Sequence, residues 1–270
     1  MKNFLVPIDF SDTSINAASY AIALTKNIPD AKVTLYHVYS KISFATLSAK
    51  DEGSRQKVSE EALQEIVQNI GADGNNISVV AEEGSFVENI KDYTMGHYID
   101  MVIMGITGSS RITQVFMGTN TLNVIRHIDC PVMIIPAAAQ FNGFNHAVFV
   151  SDFQDVARTT PFASLQKILD TFEPKLDILN VDSEHFVELT EEFKIERVAM
   201  EDKLGKYDPK FSFLRAYDFL DGINSYVETK NIDIILSLPR KHSFLSQLFK
   251  TSHTKKLAYH STVPIIAIPG

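Results

Sequence analysis

The chain has 270 residues, of which 45% are hydrophobic and 21% charged, so it is long enough for two ordinary soluble domains that each bury a core. Its net charge of −8 argues against a surface for nucleic acid or for an anionic membrane. The single cysteine, Cys130, excludes an intrachain disulfide and fits a reducing compartment. The lack of a secretory signal or of an apolar stretch long enough to span a bilayer predicts a cytoplasmic protein.

The first half of the chain predicts five short strands that alternate with four helices. The strands are runs rich in Val, Ile and Leu, as in parallel strands covered on both faces, and they fall near residues 3–8, 32–38, 77–82, 100–104 and 131–136. The predicted helices span residues 13–27, 51–70, 86–96 and 119–128. This alternation predicts a parallel sheet with helices on both faces, whose ligands bind beyond the carboxyl ends of the strands, where the strand order reverses.

The second half of the chain is a diverged copy of the first. Positions 84–136 align with 217–269 without a gap, and 13 of the 53 pairs are identical. With a slightly larger offset, 6–10 align with 149–153 and 32–38 with 175–181. We therefore predict two tandem domains, 1–140 and 144–270, each with the same order of strands and helices.

Glycines mark the loop that follows the fourth predicted strand. Gly105 and Gly108 come directly after this strand, and Gly118 and Thr119 begin the next helix. Glycine allows a backbone to approach a ligand closely, and the free amides and dipole at a helix start suit a phosphate. Thr119 and Thr121 add hydroxyl donors. The alternative is that the glycines only shape a long loop.

This loop resembles the universal stress protein family, whose ATP-binding pattern is G-x2-G-x9-G-[ST]; all four positions match at the required spacing. Residues 4–11, 35–38 and 130–136 extend the resemblance over both ends and the middle of the first half. It implies an α/β fold with two tandem doubly wound domains, Rossmann-like and similar to adenine nucleotide alpha hydrolases, each with a five-stranded parallel sheet. Only the first domain keeps the ATP-binding loop.

The resemblance also implies roles for residues of the first domain. Family members place adenine and ribose at the ends of the first two strands, where Asp9 would accept hydrogen bonds from the adenine amino group or a ribose hydroxyl. The alternative role of Asp9 is that of a capping or turn residue, and Met104 would pack on the sugar or base or lie in the core. The predicted nucleotide-binding residues are Pro7, Ile8, Asp9, Val38, Met104, Gly105, Gly108, Gly118, Thr119, Asn120 and Thr121.

Four other residues with reactive or charged side chains are not assigned to the site. Arg111 lies within the nine-residue loop and could reach a phosphate, but a solvated loop arginine is the preferred interpretation. His37 and His127 lack the spacing of metal or ligand pairs, so we expect them to be structural. Cys130 precedes the last strand and is expected to be a buried thiol.

The second half departs from the family pattern at the loop. Leu238, Lys241 and Thr251 stand where the first half has its three glycines, whereas Asp152 is kept at the position of Asp9. These side chains occupy space that phosphates would need. We therefore predict an inactive, structural copy, although the basic residues around position 241 leave binding of an anion open.

The resemblance thus implies a stress-response protein that binds ATP, or AMP or ADP, together with Mg²⁺ and changes its interactions with an unknown protein partner. The alternatives are a ligand-free interaction module and a slow ATPase. The chain lacks the signatures of common nucleotide enzymes and shows no nucleophile–base pair, so no catalytic residue is predicted. Because family members commonly pair through their last strands, the resemblance also implies that the last strands of the two halves, 132–136 and 265–269, pair as an intrachain pseudo-dimer that covers their edges, with a further homodimer left open.

Overall fold

The computed structural model describes residues 1–40, 49–71, 76–106, 119–182, 191–216, 218–239 and 263–270. These residues form two compact units, an N-terminal unit that ends at Phe141 and a C-terminal unit that begins at Asn142. Within the described ranges, no helix is both long enough and apolar enough to cross a lipid bilayer.

The N-terminal unit alternates strands and helices. Its strands are β1 (Asn3–Pro7), β2 (Lys32–Tyr39), β3 (Ile77–Glu83), β4 (Met101–Gly105) and β5 (Val132–Ile135). Its helices are α1 (Asp12–Thr25), α2 (Ala49–Asn69), α3 (Phe86–Gly96) and α4 (Thr119–His127). Each strand and helix predicted for this half is confirmed, with bounds that differ by no more than two positions.

The strands of the N-terminal unit form a parallel sheet in the order β3-β2-β1-β4-β5. The central strands are buried on both faces; Leu5, Leu35 and Ile103 are all 0% exposed. The chain runs outward from β1 to β3 and then returns to place β4 on the other side of β1. The strand order therefore reverses between β1 and β4, and a crevice forms beyond their carboxyl ends in folds of this kind.

Small residues bring helix α1 close to the sheet. Ala17, Ala18 and Ala21 are 0% exposed, so these positions of the buried face of α1 carry little side-chain bulk. The Asn16 side chain also donates hydrogen bonds from Nδ2 to the carbonyl oxygens of Pro136, at 3.3 Å, and Ala139, at 3.1 Å. These contacts fix the N-terminal half of α1 at the carboxyl edge of the sheet.

The C-terminal unit repeats the architecture. Its strands are β6 (His146–Val150), β7 (Lys175–Asp182), β8 (Lys210–Arg215), β9 (Ile234–Ser237) and β10 (Ile265–Ala267). Its described helices are α5 (Val156–Thr159), α6 (Phe162–Phe172), α7 (Glu191–Leu204) and α8 (Phe219–Lys230), with a 3-10 turn at Gly205–Tyr207. The parallel strand order β8-β7-β6-β9-β10 is that of the N-terminal unit, so the fold confirms the duplication.

In each unit, an aspartate just before the fourth strand accepts two backbone hydrogen bonds from the start of the first strand. We call this arrangement the aspartate clamp. Asp100 Oδ2 accepts hydrogen bonds from the amides of residues 2–3, at 2.6 and 3.0 Å. Asp233 Oδ2 accepts from the amides of residues 145–146, at 2.8 and 2.9 Å. The clamp joins the start of the first strand to the start of the fourth, which gives a structural reason for the identity of Asp100 and Asp233 in the repeat.

Candidate functional site

The carboxyl ends of β1 and β4 lie side by side in the N-terminal unit. Leu5 of β1 pairs with Val102 of β4, and this register, carried to the strand ends, brings Ile8 next to Gly105. Ile8 is 2% exposed, and its amide donates to the Tyr36 carbonyl oxygen at 2.8 Å, so β1 stays attached to β2 to its end. The predicted residues at the ends of the first and fourth strands therefore share one edge of the sheet.

Asp9 begins the turn that joins β1 to α1. Its Oδ1 accepts hydrogen bonds from the amide of Ser11, at 3.0 Å, and from the Ser11 hydroxyl. Burial raises the pKa of the Asp9 carboxyl, but the hydrogen bonds from Ser11 and Ser14 outweigh this effect and hold the pKa below its usual value. Asp9 is thus an exposed, ionised acceptor at neutral pH. The turn role expected as an alternative is present, and the ligand role stays a prediction.

The C-terminal unit makes the same turn with Asp152. Its Oδ1 accepts a hydrogen bond from the Gln154 amide at 3.2 Å, as Asp9 does from Ser11. The turn alone therefore explains why an aspartate is kept in the half of the chain that lacks the glycines.

Phe10 has an unusual conformation beside Asp9. Its φ angle of 63° lies in the left-handed region, which bulky residues rarely adopt, and the residue is 39% exposed. The Phe10 ring packs on the His37 ring with centroids 4.6 Å apart. The sequence interpretation missed Phe10, and the signal for it was its identity with Phe153 where 6–10 align with 149–153.

His37 ties the ends of β1 and β2 together. Its Nδ1 lies 2.7 Å from the Ile8 carbonyl oxygen. Because a carbonyl oxygen only accepts hydrogen bonds, Nδ1 must carry the proton. In the C-terminal unit, Asn180 Nδ2 makes the corresponding bond to the Ser151 carbonyl oxygen at 3.0 Å. The structural role expected for His37 is therefore present, and an asparagine can supply it.

Three predicted residues form the apolar part of the edge. Pro7 ends β1 and is buried, whereas Val38 of β2 is half-buried. Met104 of β4 is only 6% exposed, so most of its side chain lies in the core. All three are at the strand ends where the sequence predicted them.

Gly105 is required by the approach of α1. A Cβ atom at Gly105 would lie 2.2 Å from the carbonyl oxygen and 2.6 Å from the carbonyl carbon of Thr13, both backbone atoms. The sequence suggested that a ligand approaches this glycine closely. In the structure the close neighbour is instead the first turn of α1, which can approach because Gly105 has no side chain.

The C-terminal unit has a large residue at the corresponding position. Leu238 follows β9 and is 6% exposed. The counterpart of α1 is also divided, because Pro161 separates α5 from α6 and proline lacks the amide hydrogen that a continuous helix needs. The C-terminal unit therefore lacks both the glycine and the continuous first helix of the N-terminal unit.

The start of α4 is the last described part of the candidate site. Thr119 begins this helix, Asn120 is exposed, and Thr121 is 4% exposed. The other predicted positions of the loop and of its counterpart in the second half lie outside the described residues: Gly108, Arg111, Gly118, Lys241 and Thr251.

The sequence model of the universal stress protein family matches residues 1–136, which is half of the chain. The chain belongs to the universal stress protein family. Universal stress protein MJ0531 of Methanocaldococcus jannaschii is 30% identical over 141 residues, covering 50% of this chain and 81% of that protein. Universal stress protein Sll1388 of Synechocystis is 26% identical over 135 residues, covering 50% of this chain and 77% of that protein.

A solved structure matches this universal stress protein over both halves. The crystal structure of a universal stress protein from Archaeoglobus fulgidus DSM 4304 covers 99% of this chain and 98% of its own, with a TM-score of 0.71 and 20% identity. At this identity the likeness shows the fold. The Rossmann-like α/β fold therefore extends over the whole universal stress protein, as the sequence predicted.

Proposed function

We propose that this universal stress protein binds ATP, or another adenine nucleotide such as AMP or ADP, in its N-terminal unit and thereby changes its interactions with a protein partner during stress. One observation carries the proposal. The reversal of strand order places Asp9 and Gly105 at one edge of the sheet, in the half of the chain with the complete glycine spacing. Helix α4 begins at the end of that spacing, and its free amides suit a phosphate.

Each part of the nucleotide has residues of suitable chemistry. The ionised Asp9 carboxylate accepts hydrogen bonds from the adenine amino group or a ribose hydroxyl, and Val38 and Met104 offer apolar surface to the base or sugar. The phosphates bind along the loop and the start of α4, where the contributing residues are Gly105, Gly108, Gly118, Thr119, Asn120 and Thr121. Pro7 and Ile8 complete the edge beneath the nucleoside.

Magnesium enters this proposal with the nucleotide. Mg²⁺ in nucleotide sites is usually held by phosphate oxygens, water and one or two side chains. Among the residues that the structure describes, no three His, Cys, Asp or Glu side chains converge to hold an ion by themselves. Assembly as an intrachain pseudo-dimer, with a possible homodimer of whole chains, also belongs to the proposal.

The loop glycines provide the first prediction. Gly118→Val should weaken ATP binding by about 100-fold or more, because a branched side chain would crowd the phosphates and restrict the backbone at the start of α4. Isothermal titration calorimetry measures the affinity, and circular dichroism checks the fold. Lys241→Ala, in the corresponding loop of the second half, is the matched control and should bind as the wild type does. Normal binding by Gly118→Val with loss in Lys241→Ala would place the site in the other unit.

The second prediction is that one nucleotide binds per chain. The loop of the C-terminal unit has no glycine to admit phosphates, since Leu238, Lys241 and Thr251 stand where the first half has its three glycines. Calorimetry should therefore give a stoichiometry close to one, and mass spectrometry of undialysed protein should identify the bound nucleotide. A stoichiometry close to two would contradict the prediction. The release of phosphate from ATP, measured in the same samples, separates a binding protein from a slow ATPase.

A further inference from the structure

We propose that the ring of Phe10 is the surface on which the base of the bound nucleotide stacks, with His37 supporting it from the other side. The inference rests on the proposed function and deepens it, because it assigns a base-stacking residue that no glycine pattern indicates. Phe10 follows Asp9 directly at the carboxyl edge of β1, and its backbone is left-handed while this aromatic residue stays 39% exposed. Such strained, exposed positions are common at binding sites.

The C-terminal unit shows what kind of group covers a ring at this position. Phe153 corresponds to Phe10 and has nearly the same backbone, with φ of 52°, but it is only 3% exposed. Its ring packs against the rings of Phe193 and Phe213, with centroids 4.7 and 5.8 Å away. These distances are typical of aromatic pairs. The C-terminal unit therefore covers this ring with its own aromatic side chains, whereas the ring of Phe10 stays partly exposed.

A comparison of His37 with Asn180, its counterpart in the C-terminal unit, distinguishes two functions of the histidine. Both side chains donate a hydrogen bond to the carbonyl oxygen at the end of the first strand of their unit. An asparagine is sufficient for that bond, so it does not explain an imidazole at position 37. The additional property of His37 is its ring, whose centroid lies 4.6 Å from that of Phe10. The imidazole thus fixes the orientation of the exposed ring.

The chemistry of the edge defines the ligand as a flat aromatic base that carries a hydrogen-bond donor. Stacking on Phe10 selects a planar ring system but does not distinguish one base from another, since every base has a π face. The adjacent Asp9 carboxylate, ionised and exposed, adds a preference for an amino group or a sugar hydroxyl. Adenosine has both groups.

Phe10→Leu is the direct test, because leucine keeps an apolar side chain and removes the ring. The variant should bind ATP about tenfold more weakly, in line with the contribution of one base–aromatic stack, and should bind inorganic tripolyphosphate as the wild type does. Phe153→Leu is the matched control: it should lower thermal stability, because this residue is buried, and leave the ATP affinity unchanged. His37→Asn should keep the wild-type circular dichroism spectrum and weaken ATP binding severalfold.

Nuclear magnetic resonance of the wild-type protein with ATP gives an independent readout that does not depend on how the variants fold. We expect nuclear Overhauser effects between adenine ring protons and the ring protons of Phe10. Their absence, or wild-type ATP affinity in a folded Phe10→Leu variant, would overturn the inference while leaving ATP binding intact. An equal loss of ATP and tripolyphosphate binding would overturn it as well. If the wild type binds no ATP at all, it is the proposed function that fails.

Discussion

Gly105→Ala should destabilise the N-terminal unit by about 3 kcal/mol, the upper part of the usual range for forcing atoms into a packed core. The added methyl group would meet the Thr13 carbonyl at 2.2 Å, and backbone atoms cannot move aside as the end of a long side chain can. Relief requires the first turn of α1 to shift away from β4. Because Asp9 and Phe10 immediately precede that turn, ATP affinity should fall together with stability.

Hydrogen exchange can show which elements lose stability in Gly105→Ala. The amides of α1 and β4 should exchange faster in Gly105→Ala, whereas the amides of β6 to β9 in the C-terminal unit should keep their wild-type rates and serve as an internal control. Gly96→Ala is the control variant, because a Cβ atom at the last residue of α3 meets no atom within 4 Å. Its stability should stay within about 0.5 kcal/mol of the wild type. Wild-type exchange in Gly105→Ala would show that α1 does not pack against β4 as described.

His146→Ala should destabilise the C-terminal unit by about 3 kcal/mol, because it would leave one oxygen of a buried carboxylate without a polar neighbour. Asp177 is 2% exposed, and its Oδ1 lies 3.1 Å from His146 Nε2, without the alignment of a hydrogen bond. The Tyr226 hydroxyl donates to Asp177 Oδ2 at 2.7 Å. Because this hydrogen bond remains, the expected loss stays within about 1–3 kcal/mol, the usual cost of leaving a buried polar atom unsatisfied.

In the N-terminal unit, residues without ionisable side chains occupy the positions of His146 and Asp177. In the alignment that lays 32–38 on 175–181, His146 and Asp177 correspond to Asn3 and Thr34. Thr34 Oγ1 forms a hydrogen bond with Ser78 Oγ at 2.9 Å, and the Thr34 side chain also interacts with Tyr93, the counterpart of Tyr226. The double variant His146→Asn/Asp177→Thr should therefore recover stability to within about 1 kcal/mol of the wild type, because no carboxylate then remains to be desolvated. Urea unfolding and hydrogen exchange of β6 and β7 measure both effects; a double variant less stable than His146→Ala would contradict the pairing.

Most of the fold could be predicted because the strands are short apolar runs and the helices lie between them at regular spacing. The limits of α3, Phe86–Gly96, agree with the prediction to the residue. The internal repeat added the second unit, although its sequence alone resembles the family pattern weakly. Helix limits elsewhere differ by one or two positions, as at Ala49, because the residues beyond a helical pattern do not by themselves decide where hydrogen bonding begins.

The features that the sequence did not predict depend on contacts between distant residues. A glycine after a strand indicates close approach, but only the packing of α1 identifies Thr13 as the neighbour of Gly105. Nothing local distinguishes the exposed Phe10 from the buried Phe153, since both follow an aspartate and share a left-handed backbone. The difference is made by aromatic residues contributed from other elements of the C-terminal unit.

The aspartate clamp has a consequence for synthesis on the ribosome. Asp100 is separated by 97 residues from Asn3, to which it is hydrogen-bonded, and the pairing of β1 with β4 spans a similar length of chain. Contacts so distant in sequence form late, and at about 5–20 residues per second the nascent chain needs about 5–20 s to present them. During that interval one side of β1 has no strand to pair with, and an open strand edge can recruit other chains. We therefore expect aggregation of the nascent N-terminal unit to depend on the speed of translation as well as on its final stability.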